Sequence, residues 1–173
     1  MLVVLGGLPA SGKTTLARLL AARTGAVHLR VDTIEQALVR SGLTRHPVGP
    51  AGYVVGYALA EEHLRQGLTV LAESVNPLGV TRDAWRDCAV RAGVRCVEVE
   101  VVCSDADEHR ERARARTVDV PGLPLPGWEQ ITGREYEVWA RDRVVVDTAG
   151  RTPEDSAAAL LAVMRTEGVR HPA

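Results

Sequence analysis

Hydrophobic positions along this chain follow two periods in turn. Short runs rich in valine and leucine, at 2–5, 26–31, 68–72, 95–102 and 143–146, have the length and composition of strands. Between them lie segments at 15–22, 33–39, 51–66, 81–92 and 128–139 where apolar residues recur every three or four positions, as on one face of a helix. Strand and helix alternate, which predicts an α/β fold with a parallel sheet covered on both faces. Gly25, Gly67 and Gly93 stand where helices should stop. Thr81, Ser104 and the pair Thr152-Pro153 stand where helices should start. Two stretches fit neither period. Residues 41–52 read as a surface loop, and 118–127, dense in proline and glycine, read as a mobile flap.

Composition narrows this picture only a little. A length of 173 residues suits one well-buried domain spanning 1–173, with the flap as part of a lid at about 112–135. The net charge of −1 gives no overall field toward nucleic acid or a membrane surface. No apolar run approaches the roughly 20 residues of a membrane span, and the apolar start is too short for a secretory signal. A cytoplasmic protein, monomer or homodimer, is the expectation. Cys88, Cys96 and Cys103 form no C-x-x-C pair and are odd in number, so buried, reduced thiols are expected.

Chemistry enters at Gly7-Leu8-Pro9-Ala10-Ser11-Gly12-Lys13-Thr14, which matches G-x-x-x-x-G-K-[ST] between the first strand and the first helix. In that context the glycines let backbone N–H groups turn toward phosphate, and the helix adds the positive end of its dipole. Lys13 should reach the β- and γ-phosphates and the Thr14 hydroxyl should ligand Mg²⁺, with Thr15 beside it. Lys13 is the only lysine among 21 basic residues; all the others are arginine. A compact ammonium is retained at the one place where it differs most from a planar guanidinium.

Four further features accompany the loop. Asp32 lies at the carboxyl end of the second strand, where open α/β sheets collect their sites. It suits either an acceptor-orienting base or a helix cap. Glu73 ends the third strand, where a carboxylate could organise Mg²⁺ or bind the acceptor. Arg112-x-x-x-Arg116 places two guanidinia on one helix face just before the flap, to clamp a nucleotide or simply to face solvent. Asp147-Thr148-Ala149-Gly150 spells D-x-x-G, but so late in the chain that it suits a loop beside the base rather than a GTPase switch. An acceptor would lie beyond Asp32, near Tyr53, Val54, Tyr57 and Trp85. The arginines there, among them Arg82 and Arg86, are interleaved with acids, so a small hydroxyl compound fits better than nucleic acid. Arg82 and Arg86, one turn apart, could still fork a small anion.

Together GLPASGKTTLA at 7–17, VDTI at 31–34, GLTVLAES at 67–74, ERARAR at 111–116 and VVVDTAGRTPED at 144–155 give the chain a familiar outline. It resembles the small P-loop kinases, an AAA-type ATP-binding group that includes gluconate kinase, shikimate kinase, chloramphenicol phosphotransferase and bacterial polynucleotide kinase domains. The resemblance implies a P-loop NTPase three-layer sandwich: a five-stranded parallel sheet in order 2-3-1-4-5, helices on both faces and a lid closing over ATP. It implies phosphoryl transfer to a hydroxyl, with Asp32 addressing the acceptor, Arg112 packing on adenine, Arg116 reaching the phosphates and Arg134 near acceptor or phosphate. The expected acceptor is a small molecule; a polynucleotide or nucleoside kinase, and an ATPase switch without acceptor, are the alternatives. Two departures stand out: Glu73 where the family has aspartate, and no intact acceptor signature.

Overall fold

A computed structural model describes residues 1–169. In chain order the elements are β1 (Leu2–Gly6), α1 (Lys13–Thr24), β2 (Val27–Arg30), α2 (Val31–Arg40), α3 (Ala51–Arg65), β3 (Val70–Glu73), α4 (Gly79–Arg91), β4 (Cys96–Val102), α5 (Ala106–Ala115), α6 (Trp128–Thr132), β5 (Val144–Asp147) and α7 (Pro153–Val169). All strand pairs are parallel and the sheet order is β2-β3-β1-β4-β5.

The apolar run at the amino terminus is the central strand, and both its faces are buried, as a parallel sheet requires. Because side chains alternate along a strand, β1 feeds two cores. Val3 and Leu5 join Leu16, Leu20, Val99, Leu160 and Met164 under α1 and α7. Leu2 and Val4 join Val31, Leu64, Trp85 and Ala89 under the helices on the opposite face. Register then lines up the strand ends: Leu5 pairs with Glu73, and Arg30 pairs with Glu73 from the other side. The three ends meet where the loop after β1 turns back into α1.

Four local expectations change. α4 begins at Gly79, so Thr81 lies in its first turn and its hydroxyl donates to Leu78 O rather than capping the helix. Asp32 is in the first turn of α2, which begins at Val31, directly after β2. The cap of α5 is Asp105, whose side chain accepts from the N–H groups of Asp107 and Glu108, while Ser104 donates to Asp147. The segment expected as a helix over 128–139 is helical only to Thr132. Beyond it, the Glu137 N–H donates to Pro77 O, and the carbonyls of Glu137 and Val138 accept from the buried Arg82 guanidinium. Those tertiary bonds occupy backbone groups that a continuing helix would have used.

Candidate active site

The loop from Gly7 to Gly12 joins β1 to α1 in a conformation that calls for glycine at both its ends. Gly7 has φ 136°, and a Cβ there would stand 2.1 Å from the Val101 carbonyl oxygen. Gly12 precedes the helix with φ 99°. Lys13 is buried and donates from Nζ to Leu8 O at 2.7 Å, folding back across the loop. Burial pulls its ammonium down to about 8, against the charges of Glu73 and Asp32; Arg116 and Arg30 add to the lowering. Two outside groups brace the loop. His109 Nε2 bonds Pro9 O at 2.8 Å, under the edge of Trp128, and Thr148 Oγ1 lies 3.0 Å from Ser11 O.

Glu73 is 3% exposed and links three elements. Its Oε1 accepts from the Thr14 hydroxyl, and its Oε2 lies 2.7 Å from His28 Nε2. Burial alone would push this carboxyl up. The bonds to His28 and Thr14 and the charges of Lys13 and Arg30 outweigh it and hold the group ionised, below its ordinary value. Its length lets it touch Thr14 and His28 at once. A hydroxyl and one ionised carboxylate are an oxygen donor set suited to Mg²⁺, which takes few protein ligands and completes its shell with water and phosphate. Among the described residues no cluster of three or more His, Cys, Asp or Glu forms a closed metal cage.

Beside Glu73, Arg30 forms a second hub that the sequence did not single out. Its guanidinium lies 3.2 Å from Asp32, 3.8 Å from Glu73 and 2.6 Å from Asp119 in the flap. His28 and Arg30 alternate on an edge strand otherwise made of Val27 and Leu29, and that two-residue polar period was the signal available for both. Asp32 makes no cap bond, so the helix-cap alternative does not describe it.

A cleft of about 620 Å³ lies over the loop. Pro9, Ala10, Gly12, Lys13, Thr14, Thr15, Asp32 and Glu73 line its floor. Arg112, Arg116, Arg134, Thr148 and the flap residues from Leu123 to Pro126 line its walls. Arg112 donates to Thr148 Oγ1 at 2.7 Å and Thr148 O at 2.9 Å and is paired with Glu108. Arg116 is the extended residue just past α5, so the two arginines do not share a helix face as expected. A second cavity, about 390 Å³, shares Asp32, Glu35, Ser74, Val75 and Arg134 with the first and adds Tyr53, Leu78, Val80 and Thr81.

The structure does not bring every expected residue to these cavities. Arg82 is 2% exposed: its Nε donates to Asn76 O, its Nη2 to Pro77 O and Glu137 O, and its guanidinium lies 4.2 Å from the Trp139 ring. It ties the segment after α6 to α4 and cannot contact an acceptor. Tyr57 is set edge-on against fully buried Trp85, with its hydroxyl 3.3 Å from Thr81 O; both are packing residues. Arg86 pairs with Glu98, which removes the expected anion fork. Asp147 accepts from Ser104 and from Ala149 N, so the D-x-x-G carboxylate pins a turn.

A family model described as an AAA domain matches residues 2–126. Several solved structures resemble the whole chain. The APS kinase of Mycobacterium tuberculosis in complex with AMPPNP and APS is 19% identical over 95% of this chain and 96% of its own, with a TM-score of 0.69. A sugar kinase from Janibacter is 19% identical over 95% and 94%, TM-score 0.66. A gluconokinase from Sinorhizobium meliloti is 18% identical over 98% and 97%, TM-score 0.64. At these identities the likeness is one of fold. No curated protein matches the chain.

Proposed function

The chain belongs to the AAA domain family, and on that footing we propose that it is an ATP-dependent kinase that transfers the γ-phosphoryl group to a hydroxyl of a small molecule. One observation carries the reading: Asp32 lines both the cleft above the phosphate loop and the smaller cavity beside it. A nucleotide laid on the loop and an acceptor in the second cavity would meet at this carboxylate. The neighbouring APS kinase, which holds AMPPNP and APS together, supports a two-substrate arrangement on this fold.

The chain's own residues then divide the work. The loop N–H groups and Lys13 hold the phosphates, and Thr14 with Glu73 would hold Mg²⁺, which supplies charge neutralisation on the phosphate oxygens. Asp32 accepts a hydrogen bond from the acceptor hydroxyl and takes its proton as that oxygen attacks phosphorus in line. Arg116, on the cleft wall without a partner among the described residues, meets charge on the transferring group. Arg112, fixed by Thr148, shapes the base side. Leu123 and Leu125 in the flap keep water from competing with the acceptor. A polynucleotide fits poorly, because the second cavity is apolar-walled and carries carboxylates.

The test is ADP formation measured across a panel of hydroxyl compounds with MgATP. The reading expects turnover that depends on acceptor; ATP consumption indifferent to every acceptor would overturn it.

A further inference from the structure

Glu35 stands three residues beyond Asp32 on α2, so both carboxylates face the same way, and both line the cleft and the second cavity. Its position is built. A Cβ at Gly52 would lie 2.3 Å from Glu35 Cγ, so the α3 backbone presses on the Glu35 stem. Among the described residues it makes no hydrogen bond or ion pair, although most of its surroundings are protein. Burial, then the charge of Asp32, push its carboxyl up to about 7, while Arg134 pulls the other way. A half-buried carboxylate without a partner, aimed into a cavity, is costly unless a ligand supplies the missing donor or charge.

The basic groups nearby are nearly all committed. Arg82 is tied to backbone carbonyls, Arg86 to Glu98, and Arg30 to Asp119, Asp32 and Glu73. Among the described residues only Arg134 supplies a positive charge to the second cavity, which also holds two carboxylates. Apolar walls of Val31, Val75 and Leu78 offer no counter-charge and strengthen this imbalance. An anionic acceptor would meet net negative charge, whereas a protonated amine would find its counter-ion.

We propose that the acceptor is an amino alcohol or amino sugar, its ammonium paired with Glu35 while its hydroxyl is presented to Asp32. This deepens the kinase reading and rests on it for the role of Asp32. The groups facing Glu35 are Asp32 on its own helix, Tyr53 on α3, Arg134 after α6 and His46 in the loop between α2 and α3. Ammonium binding should therefore strengthen as pH rises through about 7 and Glu35 ionises.

The test is calorimetric binding of matched acceptor sets, each an amine, its neutral parent and its acid on one carbon frame, to the wild type and Glu35→Gln, with turnover measured in parallel. Gln keeps the stem against Gly52, and melting curves verify folding. The proposal expects amines to bind at least tenfold more tightly than their parents, and expects Glu35→Gln to abolish that preference and its rise between pH 6 and pH 8. It also expects KM for the amine to rise in the variant while kcat changes little. Tighter binding of the neutral or acidic members, or an amine preference that survives in Glu35→Gln, overturns it. Amine binding without phosphoryl transfer would overturn the kinase reading and leave the Glu35 subsite standing.

Discussion

Asp119 of the flap accepts a 2.6 Å bond from Arg30, 89 residues earlier in the chain, at the end of β2. The same oxygen accepts from Arg18 of α1 at 2.7 Å. The flap is thereby fastened to the strand that leads into Asp32. Burial would raise the Asp119 carboxyl, but Arg30 and Arg18 outweigh it and hold it below the ordinary value. Because the folded value is depressed, the stabilisation is present above the unfolded value of about 4 and is lost as pH falls through the folded one. Asp119→Asn should weaken the fastening by about 1 kcal/mol, the scale of a partly exposed pair. Limited proteolysis within 116–127 should then speed up about fivefold, KM for ATP should rise, and the melting difference from wild type should narrow below about pH 4. Unchanged cleavage would contradict the fastening.

Lys13 gives the same direction of pH dependence, but as a cost carried at neutral pH rather than a gain. Its folded value, pulled down to about 8, lies below the unfolded value of about 10.4, so the unfolded chain binds the extra proton between them. Stability should rise with pH over that window. Phosphate binding needs the ammonium, so kcat/KM for ATP should fall above about pH 8. A pH–rate profile checks this, and Lys13→Ala should lose the falling limb together with most of the activity. Lys13→Arg should be nearly as damaging, since a planar fork does not fit a loop shaped around a point charge.

Arg112 and Arg116 should separate in steady-state kinetics. Arg112→Ala removes the bonds to Thr148 and Glu108 and should raise KM for ATP and lower the melting temperature. Arg116→Ala should lower kcat more than it raises KM and leave stability near wild type. Reversed outcomes would exchange the two roles.

Arg82→Ala should destabilise by about 3 kcal/mol, because it strands several buried carbonyls. Thermal or denaturant unfolding reads this directly. An Arg82 variant of normal stability that has lost acceptor binding would contradict its structural assignment.

These residues show which parts of the molecule were legible. The alternation of strands and helices and the phosphate loop could be read because their signals are local: a two-period pattern, and glycines at positions where no other residue fits, as at Gly7 against Val101. The strand order followed only from the resemblance to small P-loop kinases. Asp32 and Glu73 could be read because strand ends in such sheets converge. What escaped depends on contacts distant in sequence. Nothing near Arg82 distinguishes an anion-binding arginine from one wrapped by the carbonyls of residues 76, 77 and 137. The early end of the helix after Gly127 follows from the same contacts. His28 meets Glu73 only once β2 pairs with β3, and Arg30 meets Asp119 only once the flap folds over β2. No local signal separates Glu35 from the other polar residues of α2; its setting depends on α3 packing Gly52 against its stem.

The central claim, that Asp32 presents an acceptor hydroxyl to the γ-phosphoryl group, is tested most directly by following phosphorus-31 resonances with MgATP and the best acceptor, in wild type and Asp32→Asn. The account expects one phosphomonoester per ADP in the wild type. In the variant it expects turnover lowered by on the order of 10², with ATP affinity and melting temperature close to wild type. Inorganic phosphate formed at the same rate with or without acceptor, or full transfer by Asp32→Asn, would contradict it.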